Sequence, residues 1–131
     1  MMVLDSSALL AILFDEFDKS IFENMLSRTD DCVISAVNAY EAAVVARARK
    51  GAVAAAKFWD MLASHDVEII PFDELQARAA AAAFDRFGKG VNSKAKLNLC
   101  DCAAYALATT MNAPLLFKGN DFPQTDVLSA V

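Results

Sequence analysis

Residues 2–16 read Met2-Val3-Leu4-Asp5-Ser6-Ser7-Ala8-Leu9-Leu10-Ala11-Ile12-Leu13-Phe14-Asp15-Glu16, a short apolar run stopped by an acid and then a longer run that is apolar on every side. The first run has the length of a buried strand and the second that of a buried helix, so a strand leads directly into a helix with Asp5 at the junction. The same alternation continues outward. Ile21, Phe22, Met25 and Leu26 have the spacing of a second amphipathic helix, and Cys32-Val33-Ile34 forms the next short strand. Residues 38–50 and 52–63 are Ala-rich and broken by Gly51, as in a helical hairpin. Residues 67–72 (VEIIPF) read as a strand, and Asp73 as the N-cap of a helix that runs through five consecutive alanines (79–83) to Gly88. Residues 98–111 are a further Ala-rich helix, Leu115-Leu116-Phe117 a strand, and residues 127–131 a short edge strand. Strands that alternate with helices need crossover connections, which gives a parallel sheet covered on both faces. The expected architecture is a three-layer α/β/α domain over residues 1–131, with a central, mainly parallel sheet of four to five strands and no second domain.

Composition agrees. The chain has 131 residues, 56% of them apolar and 22% charged, with 4 Gly and 3 Pro, which is one globular domain with enough apolar material for a core. Disordered, collagenous and disulfide-dense classes are excluded. Asp5, Asp15, Glu41 and Asp101 interrupt every apolar stretch before it reaches the roughly 18 residues of a membrane span, so a soluble, cytoplasmic protein is expected. Cys32, Cys100 and Cys102 are an odd count, suited to reduced, buried thiols. The net charge is −5, which argues against a nucleic-acid binder that works through a generally basic surface. One segment is different: residues 86–96 (RFGKGVNSKAK) carry Arg86, Lys89, Lys94 and Lys96 and no acid.

Acids at strand-to-helix junctions converge, because in an open parallel sheet the site lies beyond the carboxyl ends of the strands. Asp5 ends the first strand, Glu41 follows the second, Asp101 stands near the start of the helix at 98–111, and Asp121 follows the last strand. Each has an ordinary structural use. Asn98…Asp101 and Asn38…Glu41 have the spacing of capping boxes, Asp5 fits an N-cap, and Asp121 sits in a Gly-Asn-Asp turn. As a group they need something more, since a carboxylate pair about 4 Å apart repels by roughly 4 kcal/mol at an effective dielectric of 20. A hard divalent cation relieves this, and oxygen-only ligands favour Mg²⁺ or Mn²⁺ over Zn²⁺. Such a site suits attack of an activated water on a phosphodiester, with the basic segment before Asp101 as a landing surface for a polyanion.

Val3-Leu4-Asp5-Ser6-Ser7-Ala8-Leu9, Asn38-Ala39-Tyr40-Glu41, Leu99-Cys100-Asp101-Cys102-Ala103-Ala104-Tyr105-Ala106 and Leu116-Phe117-Lys118-Gly119-Asn120-Asp121-Phe122 together resemble the four motifs of PIN-domain ribonucleases, in particular the VapC toxins of toxin–antitoxin modules. The resemblance spans essentially the whole chain. It implies an endoribonuclease dependent on Mg²⁺ or Mn²⁺, with Asp5, Glu41, Asp101 and Asp121 as an acidic quartet. Asp5 and Asp101 are then the firmest metal ligands, Glu41 holds a second metal or orients water, and Asp121 acts through water. Ser6 and Asn120 belong to the surrounding shell, Asp126 is a possible additional acid, and Arg86, Lys89, Lys94 and Lys96 contact RNA. The resemblance also implies a homodimer and a cognate antitoxin that covers the acidic cleft.

Other classes have less support. A phospho-accepting receiver domain shares the parallel sheet and a Lys after a late strand, here Lys118, but requires an acid pair at the end of the first strand, where this chain has Asp5 alone. A haloacid-dehalogenase-like phosphatase needs a second Asp at the position of Ser7. A PIN fold used only for binding RNA or protein goes with loss of acids, and none is missing. His65 lies in a polar Ser-His-Asp stretch whose contiguity does not support a catalytic triad. Phe14, Phe17, Phe22, Phe58 and Trp59 read as core residues or as an apolar interface.

Overall fold

A computed structural model describes residues 1–131. In chain order its elements are β1 (Met2–Leu4), α1 (Ser6–Leu13), α2 (Lys19–Arg28), β2 (Cys32–Ser35), α3 (Ala36–Lys50), α4 (Ala52–Ser64), β3 (Glu68–Ile70), α5 (Glu74–Phe87), α6 (Leu99–Thr110) and β4 (Leu115–Leu116), followed by a 3₁₀ turn at Phe122–Gln124. The strands form one sheet in the order β3-β2-β1-β4, and every pair is parallel.

Side chains of β1, β2 and β4 alternate between two cores, as the period of two requires. Val3, Val33 and Leu115 point to the face covered by α5 and α6, where they meet Ala80, Ala83, Phe87, Tyr105 and Leu107. Met2, Leu4, Cys32, Ile34 and Leu116 point to the other face, among Leu9, Phe22, Leu26, Phe58 and Leu62 of α1, α2 and α4. This is the expected three-layer arrangement. β1 and β2 are buried throughout because helices lie on both sides of them, whereas β3 is a largely exposed edge. Ala-rich faces let α5 and α6 pack closely, and α6 is buried from Cys102 to Ala108. No helix is long and apolar enough to cross a membrane.

One local feature agrees with the sequence-based expectation and one departs from it. Gly51, at φ 86°, separates α3 from α4 as the helical hairpin requires. The expected strand at 127–131 is reduced to one isolated parallel bridge between Leu115 and Ser129, held by Leu115 N–H to the Leu128 carbonyl (2.8 Å) and Ala130 N–H to the Leu115 carbonyl (2.9 Å). The sheet therefore has four strands. β4 is only two residues long and its continuation turns away at Gly119 (φ 117°), so the tail finds little strand to pair with.

The strand order fixes where a site can form. The chain moves from β1 outward to β2 and β3, then returns to the opposite side of β1 as β4. The reversal of direction beside β1 leaves a crevice at the carboxyl edge of the sheet. Asp5 stands at that edge directly after β1, its N–H continuing the ladder to the Leu116 carbonyl (2.9 Å).

Candidate active site

Asp5 is both a helix cap and a buried acid. Its Oδ2 accepts from the Ser7 N–H (3.0 Å) and from the Ser7 hydroxyl, which starts α1. Its Oδ1 is buried without a partner. Burial is the main reason that the carboxyl pKa is pushed up to about 7; the charges of Asp101 and Glu41 add to it, against the lowering effect of Ser7.

Asp101 repeats the pattern on α6. The predicted capping box is present: Asn98 Oδ1 accepts from the Asp101 N–H (2.8 Å), and Asp101 Oδ2 accepts from the Asn98 N–H (3.0 Å). Burial again dominates and, with the Glu41 and Asp121 charges, raises this carboxyl to about 6, although the Asn98 N–H works to lower it. Each aspartate thus uses one oxygen to start a helix and has the other oxygen outside the cap.

Glu41 departs from the expectation. The N-cap of α3 is Ser35, whose hydroxyl accepts from the Val37 N–H (3.2 Å), so Asn38 and Glu41 form no capping box. β2 runs into α3 without a loop, and the helix starts three residues earlier than the motif spacing suggested. Asn38 is instead fully buried, its Nδ2 donating to the Cys100 carbonyl (2.9 Å) and thereby pinning α3 to the first turn of α6. Glu41 lies in the second turn, where capping does not account for it, and its Oε1 accepts from the Ser6 hydroxyl (2.7 Å). Ser6 therefore orients Glu41.

Asp121 is exposed and precedes the 3₁₀ turn without a side-chain cap bond. Its charge acts on Asp101, as Glu41's acts on both aspartates, so the four acids form one electrostatically connected set. No three His, Cys, Asp or Glu side chains are drawn into a closed ligating group. A divalent cation nevertheless suits the donor set: it is all oxygen, it includes an orphaned buried carboxylate atom, and both aspartates resist ionisation in the absence of a compensating charge.

Cys100, expected to be a buried thiol, is only partly buried and stands beside Asp101 in the first turn of α6. Burial raises its thiol to about 11, with contributions from Glu41, Asp101 and Asp5. Its place immediately before Asp101, in the first turn of α6, is the sequence signal for this. Cys32 and Cys102 are buried as expected.

Asp126 does not join the acids. Its carboxylate accepts from the Tyr105 hydroxyl and pairs with Arg86 Nη2 (3.3 Å), because the chain after the 3₁₀ turn returns along α6. Those partners, Tyr105 first, hold its pKa low. Arg86 is exposed, pairs with Asp126 and lies 4.6 Å over the Phe87 ring. Lys89, Lys94 and Lys96 are exposed on a loop closed by the Gly88–Leu97 bridge and anchored by buried Ala95 and Leu97. Asn120 is exposed beside Asp121 and makes no side-chain hydrogen bond to the acids. The Lys118 ammonium is held by Glu16 and by Asp18 (3.1 Å), not by Asp5, which removes the geometric basis of a receiver site. His65 ends α4 where the chain enters β3, at the other edge of the sheet.

The parallel sheet and its edge of acids define the class, and the chain belongs to the PIN domain family, whose model matches residues 2–128. Among curated proteins it is similar to the ribonuclease VapC28 of Mycobacterium tuberculosis, 37% identical over 130 residues that cover 99% of this chain and 98% of that protein. A ribonuclease VapC of Mycolicibacterium smegmatis is 40% identical over 126 residues, covering 96% and 97%. Among solved structures, the fold matches Mycobacterium tuberculosis VapC20, described as a sarcin–ricin loop cleaving toxin, with a TM-score of 0.83 at 13% identity over 99% of this chain and 98% of that one. A toxin–antitoxin complex from Klebsiella pneumoniae matches with a TM-score of 0.69 at 19% identity, covering 96% and 93%.

Proposed function

We propose that this protein is a Mg²⁺- or Mn²⁺-dependent endoribonuclease and the toxin of a toxin–antitoxin pair. The observation that carries this is the connected set of Asp5, Glu41, Asp101 and Asp121 at one sheet edge, with Asp5 Oδ1 buried and partnerless. The names of the full-length VapC relatives support the same activity. Asp5 and Asp101 hold the cation, with Glu41 and Asp121 completing its oxygen surroundings. A cation bound there supplies Lewis acidity to water and to a phosphate oxygen. Ser6 fixes the orientation of Glu41, and Lys89, Lys94 and Lys96 receive the RNA backbone. A cytoplasmic location, an antitoxin that masks the acidic edge and a second copy of the chain complete the proposal. The Klebsiella structure, itself a toxin–antitoxin complex, supports the antitoxin.

The test is incubation of antitoxin-free protein with a pool of transfer and ribosomal RNA in Mg²⁺, Mn²⁺ or EDTA. Cleavage in either metal and none in EDTA is expected, with 5′-phosphate and 3′-hydroxyl ends because water rather than the 2′-hydroxyl attacks. Products ending in 2′,3′-cyclic phosphate would overturn the proposed chemistry.

The lysine loop makes a separate prediction. Replacing Lys89, Lys94 and Lys96 by Ala lowers the slope of log K against log salt for RNA binding by about 2, at roughly 0.7 per phosphate contact on a single strand. Cleavage at saturating RNA changes less than binding does. An unchanged slope in filter-binding titrations would remove the loop from the contact surface.

A further inference from the structure

Ser7 occupies a position that the proposed function leaves unused. Its hydroxyl donates to Asp5 Oδ2 and accepts from the backbone N–H of Lys118 (2.9 Å), while its own N–H donates to the same Asp5 oxygen (3.0 Å). One side chain thus joins the residue after β1 to the chain leaving β4, across the crevice where the strand order reverses. Two of its consequences converge on the acids. Oδ2 is occupied twice, which fixes the carboxylate plane and leaves Oδ1 as the oxygen without a partner. The Lys118 backbone is also tethered only three residues before Asp121, so the fourth acid is carried on a segment docked to the first.

We infer that Ser7 is a positioning residue for the proposed cation site, presenting Asp5 Oδ1 and holding the Lys118–Asp121 segment against it. This rests on the proposed metal-dependent function. It assigns a role to a side chain next to Ser6, whose hydroxyl serves Glu41 instead. The two adjacent serines therefore have separate tasks, one for each of two acids. A purely local capping role for Ser7 needs only its backbone N–H, which a substitution leaves in place.

The experiment compares wild type, Ser7→Ala, Ser7→Thr and Asp5→Asn for Mn²⁺ binding by calorimetry, and for amide hydrogen exchange at Lys118. Loss of a group that orients a metal ligand lowers affinity by about 10- to 100-fold. Ser7→Ala is expected to weaken Mn²⁺ binding by at least about tenfold and to speed exchange of the Lys118 amide, while Ser7→Thr, which keeps the hydroxyl, restores both. A capping role alone would change neither. Mn²⁺ affinity of Ser7→Ala within twofold of wild type, in a background where Asp5→Asn abolishes binding, overturns the inference about Ser7 alone. Absence of Mn²⁺ binding in wild type overturns both the inference and the metal-dependent function on which it rests. Weakened binding that Ser7→Thr does not restore also counts against the hydroxyl. If Ser7→Ala fails to fold, the Ser7→Thr comparison and Lys118 exchange in wild type with and without Mn²⁺ still decide, since the tether predicts slower exchange when the site is filled.

Discussion

Asp5→Asn abolishes RNA cleavage and, in EDTA at pH 8, raises the melting temperature. These effects have opposite signs because Asp5 is costly to the fold and necessary to the site. Asn is as good an N-cap as Asp, and it keeps an oxygen for the Ser7 N–H, so α1 loses nothing by the exchange. What it removes is a buried negative charge facing Asp101 and Glu41. With the carboxyl pushed up to about 7 from its ordinary value of 3.8, the ionised form is disfavoured in the fold by on the order of 4 kcal/mol at most. Recovery of about half of that corresponds to a rise of roughly 5–10 °C for a domain of this size. Loss of a central electrostatic contributor costs about 10²- to 10³-fold or more in rate. Asp73→Asn is the matched control. Asp73 caps α5 through Oδ1, which accepts from the Gln76 N–H (3.0 Å), and its exchange should leave both rate and melting temperature near wild type. If Asp5→Asn instead lowered the melting temperature while cleavage persisted, Asp5 would be a cap and the acid cluster would not be the active site.

The sequence carried the layered fold because its signals were local and repeated: strand-length apolar runs at Val3, Val33 and Ile69, each followed by a helical stretch, and a last such run at Leu115. It carried the position of the acids because strand ends in a parallel sheet share one edge. It did not carry the start of α3, since Ser35 is simultaneously the last residue of β2 and the helix cap, and Asn38 imitates a capping residue while serving as a buried tie to Cys100. Nor did it show that Asp126 would be withdrawn from the acids. That outcome depends on the path of the chain after Phe122, which brings Asp126 to Tyr105 and Arg86, residues 21 and 40 positions away. Arg86 belongs to one basic segment in the sequence and meets Asp126 only through the fold. Charge runs are visible in sequence, whereas the partner that neutralises one member is a tertiary contact. The division of labour between Ser6 and Ser7 is likewise invisible until the side chains are placed, one toward Glu41 and the other between Asp5 and Lys118.

In EDTA the stability of the wild-type protein falls as pH rises from about 4 to 7, and Mg²⁺ or Mn²⁺ reverses the trend. Asp5 and Asp101 have folded pKa values raised to about 7 and about 6, above the unfolded value for aspartate of about 3.9. Between those limits the folded state binds more protons than the unfolded one, so unfolding free energy decreases with pH. Asp126 acts in the opposite sense, because its folded pKa is lowered; its contribution is present above the unfolded pKa and lost on further acidification, below the window in question. The buried Asp5 dominates, and a decrease in melting temperature on the order of 10 °C between pH 5 and pH 8 is the expected result. A divalent cation competes with protons for the same oxygens, so its stabilising effect grows as pH rises, reaching about 2.7 kcal/mol at a hundredfold excess over Kd. Asp5→Asn should flatten the EDTA profile and remove most of the metal response together, because a single carboxylate underlies both. Thermal melts across pH 4–9, with and without cation, measure this directly. A wild-type profile in EDTA that rises through pH 4–7 would show that the four acids neither crowd nor bury one another enough to require a cation, and the metal site would fall with it.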